Sequence, residues 1–213
     1  MKHIGLLLMA TMIFASGAVK AQEKTITLPA PQTDGGKPLM QVLKSRHSDR
    51  EFSAKPLTLQ QLSNLLWAAD GINRTESGKR TAPSARNWQD VELYAVMEAG
   101  VYRYEAAKHA LNLVVAGDLR GSTGQQDFVK DVPLNLVYVS DLGKMTDAAL
   151  DARDKYAGID AGFVAENVYL FCASEGLACV VRGSVDGKAL ANAIHLREDE
   201  KVILAHSIGY PKQ

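Results

Sequence analysis

The chain has 213 residues, of which 46% are hydrophobic, and its 24 lysines and arginines balance its 24 aspartates and glutamates. This composition is typical of a globular domain and excludes a disordered chain. The net charge is zero and the chain has no run of basic residues, so the sequence does not indicate a nucleic-acid-binding surface. Two cysteines are too few for a small protein held together by many disulfides.

The first 21 residues have the pattern of a secretory signal peptide. Lys2 and His3 give a positive start, residues 4–19 form an apolar run, and Val19-Lys20-Ala21 places small residues around a cleavage point. The alternative is a transmembrane anchor, but the run is shorter than the ~20 residues that a span needs. We therefore predict cleavage after Ala21 and export to the periplasm, with no membrane insertion of the mature chain.

The mature chain is predicted to begin with an extended arm and two helices. Residues 22–36 are polar and rich in Pro and Gly, which indicates an arm before one domain over residues 37–213. Thr58 is a good N-cap for a helix over residues 59–70, and Gly71 ends it. An earlier helix over residues 38–45 is predicted to turn three apolar side chains inward, namely Leu39, Met40 and Leu43.

Strands and helices alternate along the rest of the chain. Apolar and polar residues alternate over residues 91–97, which predicts a strand. Gly100 lets the chain turn back into a second strand over residues 101–104, so that the two form a hairpin. The apolar run over residues 134–139 predicts a central strand. Residues 111–115 fit a strand or a helix. The remaining predicted elements are helices over 123–130, 147–155, 161–174 and 188–193, and strands over 178–181 and 202–208. This order predicts an α+β or mixed α/β fold with a sheet that is covered by helices.

Cys172 and Cys179 lie seven residues apart. An exported chain can form a disulfide between them, because its compartment is oxidising. Free cysteine is also among the most buried residue types. Two buried, unpaired thiols are the favoured interpretation.

The densest polar cluster follows the first predicted helix. Arg46, His47, Ser48 and Arg50 can supply several hydrogen-bond donors to one anion, and arginine suits phosphate oxygens. The alternative is a solvated helix end, where basic side chains favour the helix dipole.

Two further clusters could meet a ligand. Pro83, Ser84, Ala85 and Asn87 form a loop of small and polar residues that a planar ligand could approach, or an ordinary loop before a strand. At the end of a later strand, Arg182-Gly183 combines a charge with a residue that permits close approach or a simple turn.

Other chemistries have no support from motifs. The chain lacks G-x-S-x-G, H-E-x-x-H, G-x-G-x-x-G and the P-loop, and its histidines have no metal-ligand spacing. His206 lies in an apolar strand, which favours a core histidine over a catalytic one.

Five short motifs occur in order along the chain. They are R-x-S-x-R, then L-T-x-x-Q-L-x-x-L-L-W-A-A-x-G-I, then P-S-A-x-N, a late R-G and a final I-G-Y-P. Together they resemble the nitroreductase family of flavin oxidoreductases over nearly the whole mature chain. The hairpin V-Y-R-Y-E, residues 101–105, is similar to the branch that includes thiazole- and oxazole-forming dehydrogenases.

This resemblance implies a nitroreductase-like α+β fold, with a central mostly antiparallel or mixed sheet flanked by helices. It also implies that homodimerisation completes the domain and that FMN binds at the interface. It implies that Arg46, His47, Ser48 and Arg50 hold the phosphate and ribityl chain, with Lys212 as a further phosphate contact. The residues Pro83, Ser84, Ala85 and Asn87 would come from the partner subunit, and Arg182 and Gly183 would lie near the isoalloxazine ring.

The resemblance also implies a flavin-dependent oxidoreductase with a ping-pong cycle, in which flavin N5 carries the hydride and no protein acid or base is required. The implied acceptor is a small molecule such as a nitroaromatic or a quinone, and NAD(P)H is a candidate donor. Two alternatives stay open: an exported flavin-binding or scavenging protein without turnover, and a dehydrogenase of a peptide-derived azoline.

Overall fold

A seven-stranded antiparallel sheet lies at the centre of the molecule, which we describe from a computed structural model of residues 24–212. The strand order is β1-β6-β5-β4-β7-β9-β8. The strands are β1 (Thr25–Thr27), β4 (Val91–Met97), β5 (Gly100–Glu105), β6 (Ala110–Ala116), β7 (Leu134–Asp141), β8 (Ala178–Arg182) and β9 (Glu200–Gly209). Two short strands, β2 (Ile72–Arg74) and β3 (Lys79–Arg80), form a separate hairpin.

The described residues form four helices: α1 (Leu39–Ser45), α2 (Leu59–Asp70), α3 (Leu150–Glu175) and α4 (Gly187–Ala193). Helices α2 and α3 pack on one face of the sheet, α4 packs on the other, and α1 packs against α3. Side chains of β4 alternate between the faces, so Leu93 packs in the larger core with α2 and α3 while Tyr94 packs in the smaller core with α4. Every residue of β7 is buried between β4 and β9. The predicted α+β class and the central position of this strand are confirmed.

The ends of α2 agree with the sequence prediction. The Thr58 side chain accepts from the Gln61 backbone N–H, and the Gln61 side chain accepts from the Thr58 backbone N–H. This reciprocal pair satisfies donors that the first helical turn leaves free. At the other end, a Cβ on Gly71 would lie 2.7 Å from the Trp67 carbonyl oxygen, so a larger residue would displace the chain.

Two predicted helical segments differ from the structure. One continuous helix, α3, replaces the two helices predicted over 147–155 and 161–174, because Ala157 and Asp160 continue the buried face across Gly158. The predicted helix over 123–130 is instead two short 3₁₀ turns, Arg120–Thr123 and Asp127–Lys130. Gly124 between them is extended and lies against the Arg182 guanidinium, which breaks the helical path. Residues 111–115 belong to a strand.

The inward orientation predicted for α1 is wrong. Leu39, Met40 and Leu43 are exposed by 61%, 76% and 47%, and Val42 is the buried residue of this helix. The helix has only seven residues and packs against α3 along one side, so one apolar position suffices for that contact.

The two cysteines are both buried and unpaired, as predicted. Within the predicted arm, residues 25–27 form an edge strand on β6. The predicted signal peptide lies outside the described residues. None of the helices between residues 24 and 212 combines the length and the apolar character needed to cross a membrane.

Candidate functional site

Residues 46–51 run beside the start of β8 and the residues that follow β9. The Asp49 backbone N–H donates to the Cys179 carbonyl at 2.9 Å, and the Lys212 N–H donates to the Glu51 carbonyl at 3.2 Å. These bonds bring the predicted cationic residues Arg46, Arg50 and Lys212 to one region of the surface.

Tyr169 of α3 organises the first part of this segment. Its hydroxyl oxygen accepts from the Val181 N–H at 2.9 Å and lies 2.8 Å from Ser48 Oγ. Because the tyrosine oxygen already accepts, its own hydrogen is available to Ser48, and the Ser48 hydrogen can then point to a ligand. The Arg46 guanidinium lies 5.2 Å above the centre of the Tyr169 ring. His47 Nδ1 lies 2.7 Å from the Ser45 carbonyl.

Arg50 and Lys212 line a cavity of about 330 Å³ together with Glu51, Phe52, Phe128, Asp131 and Val132. Among residues 24–212, no carboxylate forms an ion pair with Arg46, Arg50 or Lys212; the ion pairs lie elsewhere. This region therefore holds three cations that are free of ion pairs within the described residues, although the carboxylates of Glu51 and Asp131 line the same cavity.

Arg182 and Gly183 differ in their surroundings, since the first is buried and the second is exposed. The Arg182 side chain is buried, and it donates to the Thr123 carbonyl at 2.7 Å and to Asn135 Oδ1 at 2.9 Å. Burial lowers the pKa of this guanidinium to about 10, so it stays charged at neutral pH without a carboxylate partner. Gly183 is exposed, and a Cβ placed on it would contact nothing within 4 Å. The backbone at Gly183 is thus open to close approach.

The loop of residues 83–89 is held by Asp160 of α3. Asp160 Oδ2 accepts from Ser84 Oγ at 2.8 Å and from the Ala85 N–H at 2.9 Å. Arg86 and Asn87 have φ values of 50° and 59°, in the left-handed region that is costly for residues other than glycine. Pro83 and Asn87 are exposed at the loop surface. Residues in such conformations cluster at ligand-binding sites, where the surrounding contacts enforce them.

Arg46, Arg50 and Lys212 together are called the basic cluster below. Within one chain, the structure does not bring the loop of residues 83–89 to this cluster. Asp160 and Tyr169 are nine residues apart on α3, which is about 13 Å along the helix axis. The two predicted groups of site residues therefore occupy different positions along the same helix.

Tyr169 is a candidate site residue that the sequence pattern does not indicate. It occupies a buried position on the apolar stripe of α3, beside Val168 and Cys172. A tyrosine within such a stripe needs a partner for its hydroxyl when it is buried, and this is the signal that could have indicated it.

His206 is a core residue, as the sequence favours. Its Nδ1 lies 3.0 Å from the Tyr138 hydroxyl. Burial, assisted by the charge of Arg182, lowers the pKa of His206 to about 3, so the ring is neutral.

Comparison with known proteins gives a consistent result. Residues 43–210 match the model of the nitroreductase family. A candidate nitroreductase from Methanocaldococcus jannaschii is 31% identical over 170 residues, which cover 75% of this chain and 85% of that protein. The crystal structure of a candidate nitroreductase from Ralstonia eutropha is 46% identical, with a TM-score of 0.87 and coverage of 92% of this chain and 93% of that one.

An NADPH:FMN oxidoreductase from Vibrio harveyi, solved with NAD⁺, shares the fold. It is 20% identical, with a TM-score of 0.63, and the match covers 82% of this chain and 69% of that one. The nitroreductase-like fold predicted from the sequence is thus confirmed. By sequence and by fold, this chain belongs to the nitroreductase family, and it is a flavin-dependent oxidoreductase.

Proposed function

We propose that this protein is an exported, homodimeric, FMN-dependent oxidoreductase that passes electrons to a small acceptor, such as a nitroaromatic or a quinone, in a ping-pong cycle. The observation that carries this proposal is the group formed by Arg46, Ser48 and Tyr169, with Arg50 and Lys212 beside it. These residues offer unpaired cations and an outward hydroxyl to one anion.

The residues present fit FMN. Three cations without carboxylate partners suit a phosphate, which prefers arginine donors. The open backbone at Gly183 leaves room for a planar ring, because no side chain of the described residues fills the position of its absent Cβ. When bound, the flavin supplies hydride transfer, and the protein supplies binding, orientation and electrostatics.

The chain's own residues then have distinct tasks. Tyr169 fixes Ser48 and Arg46, so two donors are oriented before the phosphate arrives. Arg182 directly precedes Gly183, and among the described residues its guanidinium is hydrogen-bonded only to neutral oxygens. A positive charge without a carboxylate partner favours an anionic ligand nearby, and reduced flavin is anionic.

An exposed apolar surface supports the homodimer. Ile159 and Phe163 lie one turn apart on α3 and are exposed by 40% and 46%, and Met40 of α1 is exposed by 76%. Exposed large apolar side chains that lie close together, such as the pair on α3, mark interaction sites. Pairing through α3 would bring the partner's loop of residues 83–89 toward the basic cluster, which one chain does not achieve alone.

Export is supported by the sequence of residues 1–21. The Vibrio relative in fold is named for both NADPH and FMN and was solved with NAD⁺, which makes a reduced nicotinamide the first donor to test.

The test is a turnover assay on the mature, purified protein. NADH, NADPH or a dithionite-coupled donor is combined with a nitroaromatic and, separately, with a quinone. We expect many turnovers per FMN and the parallel-line kinetics of a ping-pong cycle. Bound FMN without turnover from any of the donors would contradict the proposed activity and indicate a flavin-binding protein.

A further inference from the structure

A row of hydrogen-bonded polar side chains runs from β3 to the exposed part of the loop of residues 83–89. Arg80 Nε donates to Gln89 Oε1 at 3.1 Å. Gln89 Nε2 donates to the Gly78 carbonyl at 3.2 Å and to Asn87 Oδ1 at 3.3 Å. Both N–H groups of the Gln89 amide are therefore used within the protein, and its oxygen has a donor.

The partners in this row determine which end of each amide is oxygen and which is nitrogen. A guanidinium N–H only donates, so the Gln89 atom that faces Arg80 is the oxygen. A carbonyl only accepts, so the Gln89 atom that faces Gly78 is the nitrogen. Because this nitrogen also donates to Asn87, the Asn87 atom beside it is the oxygen. The Asn87 nitrogen therefore points away from Gln89.

The Gln89 side chain begins on a fixed backbone and ends on a fixed arginine. The Gln89 backbone N–H donates to Ser84 Oγ at 2.9 Å, and its φ of 49° lies in the left-handed region. The Arg80 guanidinium donates to the Asp70 carbonyl oxygen at 2.8 Å and to the Asp70 carboxylate at 3.3 Å. These contacts leave Gln89 one orientation in which all of its bonds are made.

Asn87 presents its amide nitrogen at the surface of the loop. The residue is exposed, and its Nδ2 donates to no acceptor among the described residues. The Asn87 backbone N–H donates to the Ser84 carbonyl at 2.9 Å, which fixes the start of the side chain. The loop thus offers a neutral N–H donor of defined orientation.

We propose that Arg80 and Gln89 are positioning residues that hold the Asn87 nitrogen outward, so that the loop meets the flavin of the partner subunit with a hydrogen-bond donor. The identity of the ligand rests on the proposed function. The ligand atom that Asn87 meets is then an acceptor, such as a carbonyl oxygen of the isoalloxazine ring. Arg80 and Gln89 act through Asn87.

Gln89→Glu tests the orientation with a side chain of the same shape. The new carboxylate still accepts from Arg80, but it cannot donate to Asn87. The Asn87 amide should then turn its nitrogen toward the carboxylate and its oxygen outward. We expect FMN affinity, measured by fluorescence titration, to fall by about tenfold, because an acceptor replaces the donor.

Gln60→Glu is the matched control. The Gln60 amide nitrogen likewise donates to a backbone carbonyl, that of Ala30, at 3.0 Å and to an asparagine oxygen, that of Asn64, at 2.9 Å. Gln60 lies in the first turn of α2, at the opposite end of that helix from Asp70. The FMN affinity of this variant should equal that of wild type.

A double-variant cycle separates orientation from a merely structural role of Gln89. Asn87→Gly removes the amide, and glycine adopts the φ of 59° at this position without strain. In the Asn87→Gly background, Gln89→Glu should cause no further loss of FMN affinity. A structural role of Gln89 would weaken binding in both backgrounds.

NMR of the side-chain amides reports the orientation without flavin. The Asn87 amide signals are identified by their loss in Asn87→Gly. In the FMN-free wild-type protein these hydrogens should exchange rapidly with water. In Gln89→Glu one of them should exchange more slowly and change its chemical shift, because it is then bonded to the carboxylate.

The outcomes separate the positioning role from the flavin function. Asn87 amide signals that Gln89→Glu leaves unchanged overturn the positioning role. The expected NMR change in a protein that takes up no FMN supports the positioning role and refutes the proposed flavin function. Wild-type FMN affinity in Gln89→Glu, or a loss that persists in the Asn87→Gly background, overturns the contact between Asn87 and the flavin.

Discussion

At the scale of single residues, one tyrosine hydroxyl connects α3, β8 and the basic segment. Tyr169 accepts from the Val181 N–H and contacts Ser48, while its ring lies beneath Arg46. The sequence indicates Arg46, Ser48 and Arg50 because their donors are concentrated in five residues. It does not indicate Tyr169, because the pairing joins residues 121 positions apart and depends on how α3 packs on β8.

The double variant Arg46→Ala with Arg50→Ala tests the phosphate assignment. Charge-assisted hydrogen bonds contribute about 1.5–3 kcal/mol each, so FMN affinity should fall by about 100-fold or more. Fluorescence titration with FMN measures the loss, and circular dichroism should show an unchanged fold. Unchanged affinity would refute the placement of the phosphate beside these arginines.

Tyr169→Phe tests the organising role of the hydroxyl. It leaves the partly buried Val181 N–H without its acceptor, which should lower the free energy of unfolding by about 1–3 kcal/mol. FMN affinity should fall by about tenfold, because Ser48 is no longer oriented. The matched control is Tyr138→Phe, which removes a buried hydroxyl from His206 and should destabilise the chain without weakening FMN binding. Equal effects of both variants on FMN would argue against a specific role for Tyr169.

At the scale of elements, local signals decide how well the sequence predicts each helix. The bounds of α2 follow from Thr58, Gln61 and Gly71, which act within one turn of the helix. The continuity of α3 does not follow from its sequence, because Gly158 favours an end and only the buried face of Ala157 and Asp160 overrides it. The orientation of α1 is equally non-local, since it depends on which surface α3 offers.

Thr58→Ala tests the importance of the α2 cap. Loss of an N-cap costs about 1 kcal/mol of stability, which corresponds to a fall in Tm of about 2–4 °C for a chain of this size. Thr75→Ala is the matched control, because Thr75 is exposed and lies outside any helix. Differential scanning calorimetry measures both. A Tm for Thr58→Ala that equals the Tm of the control would show that the cap contributes nothing.

At the scale of the whole molecule, the described chain separates two groups of residues that the family resemblance assigns to one flavin. The loop of residues 83–89 and the basic cluster meet α3 nine residues apart. The sequence predicts both groups from their composition, but it cannot show their separation, which follows from the continuity of α3 between Asp160 and Tyr169. If two chains associate through the exposed side of α3, the loop of one chain would lie near the basic cluster of the other.

Phe163→Glu tests that association. A charge in the centre of the proposed interface should convert the dimer to a monomer and remove most bound FMN. Leu150→Glu is the control, because Leu150 is also on α3 and is exposed by 80% but lies at the far end of the helix. Sedimentation velocity gives the oligomeric state. A Phe163→Glu protein that stays dimeric with full FMN would place the interface elsewhere.

The central claim is that this chain binds FMN, and the absorption spectrum of the purified mature protein tests it most directly. We predict a yellow protein with the two visible flavin bands, and stoichiometric FMN released on denaturation. A colourless protein that takes up no FMN when the cofactor is added in excess would contradict the claim.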